Sequence, residues 1–91
     1  MSLTEKTKKL MDELITLMQP IYSSYPGKTN ETNMLGNILI LTRSGDKDSN
    51  LQKLIDYLKL NPNANGVEVT AEAGRIVGVD LLNNETNEDD E

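Results

Sequence analysis

Four residue types that usually build or arm a small domain never occur in this chain: it has no phenylalanine, tryptophan, cysteine or histidine. Any core must therefore be aliphatic, assembled from Leu, Ile, Val and Met with at most three tyrosines to help. The same absences narrow the chemistry. Without His the usual proton carrier near neutral pH is missing. Without Cys there are no thiol nucleophiles, no disulfides and no zinc or iron–sulfur sites of ordinary composition. The residues call for no cofactor and no catalytic metal, and a non-catalytic protein is expected.

Length and charge sharpen this. With 91 residues the chain is read as one domain, spanning 1–82, too small for a deep active-site cleft. Hydrophobic residues make up only 36%, so marginal stability, or stability borrowed from a partner, is expected. Net charge is −6, but Glu85, Glu88, Asp89, Asp90 and Glu91 carry five of the fifteen acids. The body before them holds ten acids against nine bases. Residues 83–91 thus read as an acidic, disordered tail. A near-neutral body has no basic cluster to hold nucleic acid. No stretch is long and apolar enough to span a membrane, and the charged N-terminal segment does not look like a signal peptide. A cytoplasmic protein is expected.

Periodicity divides the body. Residues 3–19 read as a helix opened by a Ser2/Glu5 capping box. Leu10, Leu14, Leu17 and Ile21 follow helical spacing, as do Met11, Ile15, Met18 and Tyr22, giving a broad apolar face. Pro20 ends or bends it. A long connection over 20–35 follows, with a type II turn at Tyr25-Pro26-Gly27-Lys28. Residues 36–43, GNILILTR, read as a central strand apolar on both faces. Residues 50–60 read as a second helix with the stripe Leu51, Leu54, Ile55 and Leu58, capped by Ser49 and Gln52 and stopped at Asn61-Pro62. Residues 66–82 read as a β-hairpin, because Val67, Val69 and Ala71 alternate with Glu68, Thr70 and Glu72; Gly74 would take a left-handed turn position. The expected fold is therefore α+β and two-layered, in the order α-β-α-β-β, with a three-stranded mixed sheet and a C-terminal β-hairpin.

The short motifs reduce to local structure. Gly27-Lys28-Thr29 lacks the earlier glycine of a phosphate loop, since Tyr22 stands there. Asn30-Glu31-Thr32 and Asn84-Glu85-Thr86 match the glycosylation triplet, which matters only in a secreted chain. Asp46 to Asn50 resembles the start of a calcium loop, yet its glycine and bidentate-carboxylate positions hold Leu51 and Tyr57. No pair of acids is spaced to suggest a hydrolase.

Two functional readings lead, with a fragment of a larger assembly, such as a phage structural accessory, as a weaker third. The first is a small binding or adaptor protein working through protein–protein contacts, an accessory, immunity or phage-type regulator, and a homodimer. Its interaction surface would involve Leu14, Met18, Tyr22 and Tyr25, the two tyrosines either exposed for contact or folded back over the core. The alternative is a small-molecule or anion-binding domain using the turn after the central strand, where Thr42, Arg43, Ser44, Gly45, Lys47 and Ser49 lie.

Overall fold

The computed structural model describes residues 4–25 and 30–79, and over them the chain is entirely helical and turn. Helix α1 spans Glu5–Met18, and a 3-10 segment follows at Gln19–Ser24. Helices α2 (Asn30–Arg43), α3 (Lys47–Leu60) and α4 (Gly66–Val77) complete a four-helix arrangement. Both α2 and α3 pack against all three other helices, and the 3-10 segment packs on α1, α2 and α4. The expected Ser2 cap, the rest of the turn after Tyr25 and the acidic tail lie outside the described residues.

The two expected helices form, with caps shifted. Thr4 caps α1, its hydroxyl accepting the Thr7 backbone N–H at 3.1 Å. Asp46, not Ser49, caps α3: its carboxylate accepts the Ser49 N–H at 3.2 Å. A carboxylate there also suits the positive end of the helix dipole. Helix α1 gives way at Met18 to the 3-10 segment that contains Pro20, which has no N–H to continue the α-helical ladder.

The α+β expectation is corrected: the described residues contain no strand and no hairpin. The supposed central strand is the second half of α2, whose buried positions Met34, Asn37, Ile38 and Leu41 recur at helical spacing. The supposed hairpin is α4 with only Val79 beyond its glycine cap described. Asn65 and Glu68 form a reciprocal capping box, each side chain bonding the other's backbone N–H at 2.9 Å. Gly78, at φ 82°, ends the helix. The N–H groups of Gly78 and Val79 return to the carbonyls of Arg75 (3.3 Å) and Gly74 (2.9 Å), closing a Schellman motif. Gly74, expected at a left-handed turn position, is instead buried mid-helix.

The core is aliphatic, as composition requires. Leu10, Leu14, Met18, Met34, Ile38, Leu41, Leu51, Leu54, Ile55, Leu58 and Val69 fill it, joined by Tyr25, Ala64 and Ala73. The broad face of α1 finds its use here: Leu10, Leu14 and Met18 are buried, while Met11, Ile15 and Leu17 pack around them. Three polar groups tie the helices together inside. Asn37 Nδ2 donates to Thr70 Oγ1 at 2.8 Å, joining α2 to α4. Thr7 Oγ1 donates to Asp48 Oδ1 at 2.6 Å, joining α1 to the start of α3. Asn50 Nδ2 donates to the carbonyls of Leu41 (3.0 Å) and Ser44, stitching the α2–α3 turn to α3. Buried polar groups satisfied in this way specify which helices meet.

Candidate functional site

Among the described residues no three Asp, Glu, His or Cys side chains gather as a metal site. The most perturbed titratable group among the described residues is Tyr25, which is only 3% exposed and whose burial pushes its hydroxyl well above the ordinary range. That hydroxyl has no hydrogen-bond partner among the described residues. A phenol held protonated is a poor base and nucleophile. Leaving such a group unpaired costs about 1–3 kcal/mol, so Tyr25→Phe is expected to stabilise the protein by roughly 1 kcal/mol, read as a raised melting temperature. A fall in melting temperature would mean the hydroxyl is paired after all.

The residues proposed for an anion site come together at the turn between α2 and α3. That turn joins two helices and follows no strand. Gly45 takes φ 63°, allowing the three-residue reversal. The N-terminus of α3 offers N–H groups, but Asp46 already accepts from Ser49, and Asp48, which accepts from the buried Thr7 hydroxyl, adds a second carboxylate. Both carboxylates oppose an incoming anion.

The residues proposed for an interaction surface are separated. Leu14 and Met18 are fully buried in the chain's own core, and Tyr25 is buried too. Packing spends them, so they offer no accessible surface. Tyr22 is 42% exposed and borders a small hollow with Gln19, Glu31 and Met34. It alone of the four faces solvent.

A larger groove of about 320 Å³ opens at one end of the bundle, between Leu17, Pro20 and Ile21 of the α1 side and Pro62 and Ala64 after α3. Its cation, Lys59, is held by Glu13 at 2.9 Å, and that contact raises its pKa. The groove carries no pair of groups for acid–base work.

The surface missed from sequence is the outward side of α2. Leu35 and Leu39 are 38% and 45% exposed, one helical turn apart. Thr32 and Gly36 lie beside them, also exposed. No charged residue occurs from Thr32 to Thr42. The face ends in Glu31 on one side and Arg43 on the other, both exposed and neither in an ion pair among the described residues. A solvated helix face is ordinarily charged; this one is bare of charge for three turns. The signal was in the sequence, but assigning 36–43 to a strand placed Leu39 inside a sheet. No helix among the described residues is long and apolar enough to cross a membrane. Compared with protein-family models, curated proteins and solved structures, the chain matches none of them.

Proposed function

We propose that the protein is a small non-catalytic binding protein that engages a protein partner through the outward face of α2, acting in the cytosol. The observation that carries this reading is the pair Leu35 and Leu39, left exposed on an uncharged helix face. A face of that kind is what an apolar helix or groove on a partner can cover. The lack of His and Cys agrees with a binding role over chemistry. Anion binding at the α2–α3 turn has less support, because Asp46 and Asp48 stand where the ligand would go; a melting-temperature rise with an anionic metabolite, lost in Arg43→Ala, would favour it.

The test compares wild type with Leu39→Glu as bait in lysate of the native host, read by quantitative mass spectrometry. Leu39 is half-exposed, so the variant is expected to keep its helical circular dichroism and to lose the stoichiometric partner. Recovery of the same partner by folded Leu39→Glu and Leu35→Glu proteins would show that another surface binds it.

A further inference from the structure

The pattern of the α2 face is symmetric about position 37. Glu31 and Arg43 stand equally far from it on either side, as do Thr32 and Thr42, and Leu35 and Leu39. Asn37 itself is buried against Thr70, so the midpoint of the outward face lies directly behind it. We propose that the occupant of this face is a second copy of the same chain, its α2 packed antiparallel on the first about a two-fold axis at the level of residue 37.

A two-fold contact must be self-complementary: where residue i meets residue j, j also meets i. A parallel or an antiparallel pair can meet that condition, and the charges at the ends of this face favour the antiparallel one. Leu35 then lies level with Leu39 of the second copy, and Leu39 with Leu35. The acidic end at Glu31 lies level with the basic end at Arg43, about 18 Å along the helix. A parallel pairing would set Glu31 against Glu31 and Arg43 against Arg43. Gly36 adds a separate observation. It has ordinary helical backbone, and a Cβ at its position would meet nothing within 4 Å in this chain. Neither a turn nor an internal contact requires glycine there, whereas a closely approaching second helix would use the space. The proposal rests on the reading of α2 as the binding face and names what binds.

The absence of native cysteine makes the test clean, because any disulfide must come from introduced residues. Light scattering of the full chain at high micromolar concentration is expected to give twice the chain mass, and Leu39→Glu one chain mass with unchanged circular dichroism. Mixing Leu35→Cys with Leu39→Cys protein under mild oxidation is expected to yield the mixed bridge in excess over either self-bridge. At low ionic strength Arg43→Glu should weaken association, and adding Glu31→Arg should restore it. A wild-type mass of one chain at that concentration overturns the proposal, while the lysate experiment still decides whether another protein uses the face. A dimer in which self-bridges dominate, or one that survives in folded Leu39→Glu protein, also overturns it.

Discussion

Gly66→Ala is expected to cost about 3 kcal/mol or more, lowering the melting temperature by roughly 12 °C or more. The cause is a backbone clash that no side-chain rotation can relieve. A Cβ at Gly66 would sit 2.3 Å from Tyr25 Cα, 2.5 Å from Tyr25 N and 2.7 Å from Ser24 C. The same approach lets the Gly66 N–H donate to Ser24 Oγ at 2.7 Å, which pins the start of α4 to the end of the 3-10 segment. Relief of the clash would have to move one backbone away from the other, weakening that bond and unseating the buried Tyr25. Against a total stability of about 5–15 kcal/mol for a small domain, the loss is large. Gly36→Ala serves as the control. There the new methyl meets open space, and better helix propensity is expected to add about 0.5–1 kcal/mol in the monomeric chain. Thermal denaturation of both variants, made in the Leu39→Glu background so that the chain is monomeric, checks the pair. A Gly66→Ala protein melting within a few degrees of wild type would mean that α4 does not approach Tyr25 this closely.

Leu14→Glu is expected to unfold the chain outright. Leu14 is fully buried in the core. Truncating a buried leucine costs about 2–5 kcal/mol through lost burial and the cavity left behind. Glutamate does worse, because its carboxylate must either enter the core unpaired or take up a proton. The measurement is far-ultraviolet circular dichroism at room temperature. Loss of the helical signal is the expected result, in contrast to Leu39→Glu, which should retain it. A folded Leu14→Glu protein would return Leu14 to the surface and remove the packing described for α1. The two glutamate variants thus separate a residue that holds the fold from one that faces outward, although both are leucines on amphipathic helices.

Helices α1 and α3 were legible because their apolar residues are spaced by three and four with polar residues between. Leu51, Leu54, Ile55 and Leu58 admit only a helical stripe. The two misread segments failed for different reasons. In α2 the run Ile38 to Leu41 is unbroken, so it fits a covered strand and a buried helix equally well. The helical signal lay just before it, at Met34, and was obscured by Asn37, a polar residue at a core position. In α4 Val67, Val69 and Ala71 alternate with Glu68, Thr70 and Glu72 like a strand, and the helix-end signals, the Asn65/Glu68 capping box and Gly78, went unread. Burial of Val69, Thr70, Ala73 and Gly74 overrides the modest intrinsic preference of those residues. For the candidate surface, the exposure of Tyr22 was anticipated and that of the α2 face was not, because outwardness depends on the helix assignment.

By itself the sequence determined the aliphatic character of the core, the stripes of α1 and α3 and the stop at Asn61-Pro62. These follow from composition and from contacts within about one helical turn, which residues close in the chain make wherever the rest of it goes. Tertiary structure decided that 36–43 and 66–77 are helices, that Leu14 and Met18 are interior and that Leu35 and Leu39 are not. Those outcomes hang on partners far apart in the chain: Asn37 with Thr70, Thr7 with Asp48, and Gly66 against Ser24 and Tyr25. Residues separated by more than thirty positions meet only once the helices have packed, so the local signals left these assignments open and long-range packing settled them.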